Sequence, residues 1–150
     1  IFNNGDISIT VPDMSIMGDK KVPADHEKIV EFLLNETKDA YGLVISIDTL
    51  LYGGIVPSRL HYFSVEELKD SLNAVRKIKE NNPDIIIYAF NLIMRCPQYS
   101  SADEEPDYYE YCGLEIFKYG YLNHKKELGV ISNDELAAFD TLNVPENELR

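Results

Sequence analysis

The fold of this chain is decided by two stretches, Leu43-Val-Ile-Ser-Ile-Asp-Thr-Leu-Leu-Tyr-Gly-Gly-Ile-Val-Pro-Ser-Arg-Leu-His61 and Ile85-Ile-Ile-Tyr-Ala-Phe-Asn-Leu-Ile-Met-Arg-Cys-Pro97. Each begins with a nearly continuous apolar run, which is typical of a strand covered on both faces. The first run ends at a carboxylate, Asp48, and the second at an amide, Asn91. We therefore predict two buried strands that deliver polar groups to the same end of a sheet.

Helical patterns separate these strands. Apolar residues recur at helical spacing between about Asp25 and Ala40, and Asp25 can cap that helix. Ser64-Val-Glu-Glu67 has the pattern of a capping box that opens the next helix, and Asn81-Asn-Pro83 ends it. We expect the buried stripe of that helix to be Leu68, Leu72, Val75 and Ile78. A short strand is also predicted over residues 7–11, and further helices over about 107–128 and 132–139.

Strands that alternate with helices indicate βαβ units, and therefore an α/β fold with a parallel sheet and flanking helices. A chain of 150 residues, 45% of them hydrophobic, can bury one ordinary core, so we expect a single α/β domain over 1–150. Three strands are too few for a complete sheet or barrel, and Pro145 stands where another helix would begin. The chain is therefore expected to be part of a larger doubly wound or barrel-type protein.

Charge and hydropathy limit the partners of this chain. The net charge of −12 argues against a nucleic-acid backbone or an anionic membrane surface as the main partner. No apolar run approaches the ~20 residues of a membrane span, and no signal-peptide pattern is visible. Cys96 and Cys112 form neither a disulfide framework nor a metal knuckle. We expect a small-molecule ligand, the remainder of a longer chain or a second copy as partner, with the cytoplasm favoured, and we assign no cofactor or metal.

Chemistry in parallel α/β folds gathers at the carboxyl ends of the strands. Asp48 is there the candidate acid, base or nucleophile, and Glu104 and Glu105 are its candidate partners, as in the carboxylate pairs of glycoside hydrolases. Arg59 and Arg95 could clamp a carboxylate or phosphate with bidentate hydrogen bonds. The other candidate ligand-binding residues are Tyr52, Gly53, Gly54, Ser58 and Asn91.

Each of these residues also has a structural explanation. Asp48 could cap or brace the turn that follows it, and Gly53-Gly54 could supply positive φ rather than room for a ligand. The glycine pair fits neither a P-loop nor a dinucleotide fingerprint. Two hypotheses therefore stay open. One is a hydrolase that acts on a small polar or carbohydrate-like substrate, and the other is a non-catalytic ligand-binding or structural module.

Three motifs carry a resemblance to other proteins. They are Val11-Pro-Asp-Met-Ser-Ile-Met-Gly18 with Pro23-Ala-Asp25, then Ser46-Ile-Asp-Thr-Leu-Leu-Tyr-Gly-Gly-Ile-Val-Pro-Ser-Arg59, then Tyr88-Ala-Phe-Asn-Leu-Ile-Met-Arg95 with Glu104, Glu105 and Tyr108. With them, over roughly residues 9 to 120, the chain resembles a bacterial family, the domain of unknown function 4127 family. The resemblance implies a longer protein and no established activity. It points to Asp48, Tyr52, Gly53, Gly54, Ser58, Arg59, Met94 and Arg95 as shared motif residues.

Overall fold

The computed structural model describes residues 7–144 and divides into two compact units, the first ending at Leu92 and the second beginning at Ile93. The second unit contains helices α5 (Tyr109–Glu127) and α6 (Asn133–Asp140). The first unit contains a 3₁₀ helix (Met14–Ile16), helix α1 (His26–Glu36), strand β1 (Gly42–Ser46), helices α2 (Ile47–Tyr52), α3 (Pro57–Leu60) and α4 (Val65–Asn81), and strand β2 (Ile86–Phe90).

The two strands pair in parallel within the first unit. Val44 lies opposite Tyr88, and Ser46 lies opposite Phe90. Because α2, α3 and α4 connect β1 to β2, the predicted βαβ unit is confirmed, together with the α/β class and the flanking helices. Within residues 7–144 the sheet has these two strands.

The strand predicted over residues 7–11 is wrong. This segment has no regular secondary structure, and the side chains of Ile7, Ile9 and Val11 are exposed. Its β-branched residues favour an extended backbone, but strand propensity depends on packing against neighbouring strands. In the described sheet, β1 pairs only with β2, so residues 7–11 have no strand in it to pair with.

Strand β1 ends at Ser46, before the end of the apolar stretch from which it was predicted, because helix α2 starts at Ile47. The Ser46 hydroxyl accepts the N–H of Thr49 at 3.2 Å and thereby caps α2. Gly53 closes the same helix in the left-handed conformation, with φ of 81°. Asp48 therefore lies in the first turn of a helix, and its predicted position at a strand end is wrong by two residues.

The sheet of the first unit is covered on one face. Ile45 and Ile85 are buried, whereas Val44, Tyr88 and Phe90 are 72%, 62% and 51% exposed. Side chains alternate along a strand, so these two sets mark opposite faces. The prediction that both faces are covered is therefore wrong for the described residues. The covered face belongs to a core formed by Ala24, Ile29, Leu33, Ile45, Leu50, Ala74, Ile78 and Ile85.

The predicted helix caps are confirmed in both units. The Asp25 carboxylate caps α1. Ser64 and Glu67 form the capping box of α4, and Ser132 and Glu135 form that of α6. These signals lie within four residues of each helix start, so the local sequence is sufficient to specify them.

Helices α5 and α6 pack together in the second unit. The rings of Tyr119 and Phe139 stack with centroids 5.2 Å apart, and Lys125 pairs with Glu135. The hydrogen bond from Lys125, with those from Ser132, lowers the pKa of Glu135 to about 2. In the described part of the chain, no helix has the length and apolar character needed to cross a membrane.

Candidate functional site

The candidate site residues are divided between the two units. The proposed carboxylate pair takes Asp48 from the first unit and Glu104 or Glu105 from the second. The proposed arginine clamp is divided in the same way, so both arrangements stay predictions. The first unit holds Asp48, Tyr52, Gly53, Gly54, Ser58, Arg59 and Asn91, and the second holds Arg95, Glu104 and Glu105.

Asp48 is buried, with 5% of its surface exposed, in the first turn of α2. Its Oδ2 accepts the backbone N–H of Leu92, which follows β2, at 3.0 Å. This hydrogen bond fastens α2 to the chain that leaves the neighbouring strand. The contact supports the structural explanation of Asp48 as a brace, because one carboxylate oxygen is occupied by the protein itself.

Loss of this contact is expected to destabilise the first unit. Asp48→Ala removes the acceptor of a hydrogen bond to a charged group, and the free energy of unfolding should fall by about 1.5–3 kcal/mol. Asp48→Asn keeps an acceptor oxygen and should cost about 1 kcal/mol. Urea denaturation followed by circular dichroism measures both. Asp39→Ala, at an exposed position, is the matched control, and equal stability of the Asp48→Ala and Asp39→Ala proteins would contradict the bracing role.

Gly53 and Gly54 both adopt positive φ, at 81° and 150°, which confirms the structural explanation of the pair. The close approach at Gly53 comes from the chain itself. A Cβ there would lie 2.6 Å from both the Ala24 nitrogen and the Pro23 Cβ. Ala24 N–H also donates to the Gly53 carbonyl at 2.9 Å. Gly53 therefore lets the end of α2 touch the segment that leads into α1.

The other polar candidates of the first unit differ in their surroundings. The Ser58 hydroxyl donates to the Ile55 carbonyl at 2.6 Å within the turn that starts α3. Arg59 is half-buried on α3, and Asn91 is exposed directly after β2. Ser58 is thus used by its own turn, whereas the Asn91 amide faces solvent.

In the second unit, the two loop carboxylates have opposite environments. Glu105 is 4% exposed, whereas Glu104 is exposed. Burial raises the pKa of the Tyr109 hydroxyl to about 12, with added contributions from Cys96, Tyr108 and Glu105. The Arg95 guanidinium is exposed and lies 5.8 Å from the centre of the Tyr99 ring.

A cavity of about 220 Å³ lies in the first unit beside the end of α2. Segments distant in the sequence form its wall, since α1, the end of α2 and the start of α4 all contribute. Two of its residues, Tyr52 and Gly53, were predicted from the sequence. Its lining residues include His26, Tyr52, Gly53, Phe63, Glu67 and Ser71.

Aromatic contacts shape one side of this cavity. The Tyr52 and His61 ring centroids are 4.5 Å apart, and those of His61 and Phe63 are 5.7 Å apart. His61 directly follows α3, and its ring contacts both aromatic residues of the cavity wall. The His61 imidazole therefore links the two aromatic side chains of the cavity wall.

Two polar residues of the cavity wall, His26 and Glu67, are not among the site residues predicted from the sequence. His26 Nδ1 donates to the Leu50 carbonyl at 3.0 Å, so this ring nitrogen is used within the protein. Glu67 Oε2 accepts the Ser64 N–H at 2.7 Å and the Ser64 hydroxyl at 2.8 Å. These hydrogen bonds lower the pKa of Glu67, so its carboxylate is ionised at neutral pH.

Within residues 7–144, no three His, Cys, Asp or Glu side chains come together in a group that could hold a metal ion. A larger groove of about 540 Å³ runs along the outer side of α1, between Val30 and Leu34. It contains none of the residues predicted as a site. The cavity beside Tyr52 and Gly53, in contrast, is a concave surface of the first unit that contains residues predicted from the sequence.

The chain matches the model of a known protein family. The family model described as "Protein of unknown function (DUF4127)" matches residues 1–150. This finding confirms the resemblance drawn from the three sequence motifs and extends it to the whole chain. Comparison with curated proteins and with solved structures gave no match.

Proposed function

This chain belongs to the family of proteins of unknown function DUF4127, and on that premise we propose that it binds a small molecule in the cavity beside Tyr52 and Gly53. The observation that carries the proposal is that these two residues, which belong to the second of the three family motifs, line the same cavity as His26 and Phe63. Small-molecule sites are concave and mostly apolar, with a few placed polar groups. At about 220 Å³, the cavity lies below the ~300–1,000 Å³ typical of drug-sized ligands, so the ligand is small.

The motif residues around the cavity have supporting roles in this proposal. Asp48 fastens α2 through its hydrogen bond with Leu92, and Gly53 allows α2 to pack against Pro23. Both contacts fix the position of Tyr52 at the end of α2. A pre-formed cavity binds more tightly than one that must be ordered by its ligand, because less conformational entropy is lost.

Ligand binding can be tested by two-dimensional NMR of the full chain with a library of small fragments. Binding should shift the amide resonances of residues 23–26, 51–53 and 63–71. Ser71→Trp fills the cavity from α4 and should abolish these shifts. Lys69→Trp places the same ring on the exposed side of α4 and should leave them unchanged. Binding that survives Ser71→Trp, or a library with no fragment that binds here, would refute the proposal.

A hydrolase that acts on a polar or carbohydrate-like substrate is the second candidate. The observation that favours it is that Asp48 and Glu105 are 5% and 4% exposed, since carboxylates are seldom buried without a reason. Asp48 would be the acid, base or nucleophile, with Glu105 or Glu104 as its partner. The test is hydrolysis of chromogenic glycosides and esters by the wild type, Asp48→Asn and Glu105→Gln. Turnover that both variants lose supports this candidate, and turnover that Asp48→Asn retains excludes it.

The uncovered sheet supports a further part of the proposal, that β1 and β2 belong to a larger doubly wound or barrel-type sheet. Parallel strands are nearly always covered on both faces, yet Val44, Tyr88 and Phe90 are exposed. Both strands are also edges of the described sheet. Additional strands and helices would remove both features.

A further inference from the structure

We propose that the cavity beside Tyr52 and Gly53 takes a small protonated amine with an apolar body. This inference rests on the proposed function and names the chemical class of the ligand. Among the described residues that line the cavity, Glu67 is the one acid, and none is Lys or Arg. The fixed charge of the cavity wall is therefore negative.

Glu67 is held in place by a contact that does not depend on a ligand. Its Oε2 accepts both the N–H and the hydroxyl of Ser64 in the capping box of α4. Glu67 lines the cavity and is itself exposed, so the residue lies at the solvent-facing side of the cavity wall. A ligand cation would meet Glu67 at the entrance and place its apolar part deeper in the cavity.

The other walls of the cavity suit the apolar part of such a ligand. Phe63 and Tyr52 contribute aromatic rings, and Leu51 and Pro23 contribute aliphatic surface. Aromatic faces attract organic cations as well as apolar groups. The cavity volume of about 220 Å³ fits an amine with a single ring.

The start of α1, beside the cavity, would be the natural place for an anion, because helix N-termini attract negative charge. That position is already occupied. The Asp25 carboxylate caps α1 by accepting the N–H of Lys28 at 3.2 Å, and it also pairs with the Lys28 ammonium at 2.7 Å. The chain thus supplies its own anion there, which removes the main attraction that a ligand carboxylate would find.

Three probes of nearly equal size separate charge from shape. Benzylamine, benzyl alcohol and benzoate share one ring and carry a positive, zero and negative charge. NMR titrations of the full chain at low ionic strength should show benzylamine shifting the amides of His26, Phe63 and Ser71. Its affinity should exceed that of benzyl alcohol about fivefold and that of benzoate at least tenfold.

Glu67→Gln provides the decisive variant, because glutamine at this position retains the capping box and removes the charge. Its affinity for benzylamine should fall about fivefold, to that of benzyl alcohol, while its affinity for benzyl alcohol stays within twofold. Glu66→Gln makes the same change at the preceding residue of the first turn of α4, outside the cavity wall. It should leave both affinities within twofold of the wild type.

The outcomes distinguish this inference from the proposed function. If benzyl alcohol or benzoate binds as tightly as benzylamine, or if Glu67→Gln behaves like Glu66→Gln, the amine inference is overturned and the small-molecule site stands. If none of the three probes binds while other fragments bind in a manner sensitive to Ser71→Trp, the amine inference again fails alone. If no fragment of any charge binds, both proposals fail.

Discussion

Gly53→Ala is expected to lower the free energy of unfolding of the first unit by about 2–6 kcal/mol. Two costs add. A non-glycine residue at φ of 81° costs about 1–3 kcal/mol. The new Cβ would also lie 2.6 Å from the Ala24 nitrogen and the Pro23 Cβ, and such overpacking costs about 1–3 kcal/mol. Hydrogen exchange at the amides of Leu50 and Ile78, in the core of the first unit, measures the change.

Gly129→Ala separates the two costs. Gly129 has φ of 69°, and a Cβ there would meet nothing within 4 Å. This variant should therefore show the conformational cost alone, about 1–3 kcal/mol, when exchange is followed in α5 of the second unit. If Gly53→Ala costs no more than Gly129→Ala, the end of α2 is not packed against Pro23 in solution as closely as in the structure.

Features determined by neighbouring residues could be predicted from the sequence. The caps at Asp25, Ser64 and Ser132 each need a polar side chain and an amide two or three residues away, and all three are confirmed. The same local signals are present at Ser46 and Gly53, which cap the start and the end of α2. They were missed because the apolar run of β1 continues into the helix, and an apolar run alone does not distinguish a strand from a buried helix.

Features that depend on contacts between distant residues were less predictable. The strand pairing followed from the βαβ pattern, but β2 is apolar at every position from Ile86 to Phe90. Such a strand gives no indication of which face the helices cover. The strand prediction for residues 7–11 failed for a related reason. The β-branched side chains there indicate an extended backbone but do not indicate which strand it would pair with.

The cavity was partly predictable. Tyr52 and Gly53 were identified through their motif, whereas His26 and Glu67 are brought to the same cavity by packing between α1, α2 and α4. Phe63 carried a usable signal, since an apolar residue directly before a capping box often packs against the helix that follows. Nothing in the sequence around His26 predicted that its ring would bond the carbonyl of Leu50, 24 residues away.

Ile78→Ala is expected to have the largest effect among single changes on α4, with a loss of about 2–5 kcal/mol in the free energy of unfolding. Ile78 is fully buried, at 0% exposure, and it belongs to the core that joins α4 to the sheet. Alanine leaves a cavity there, and the small gain in helix propensity does not offset it. Thermal and urea denaturation of the purified chain measure the loss.

Leu72→Ala is the matched control on the same helix. The helical spacing predicted that Leu72 and Ile78 would share one buried stripe, but Leu72 is 41% exposed. Its loss should cost less than about 1 kcal/mol, because much of its side chain already contacts water. Equal losses for the two variants would mean that α4 buries the whole predicted stripe in solution. A difference of at least ~1 kcal/mol is expected if α4 is rotated so that Ala74 and Ile78 face the core, as in the structure.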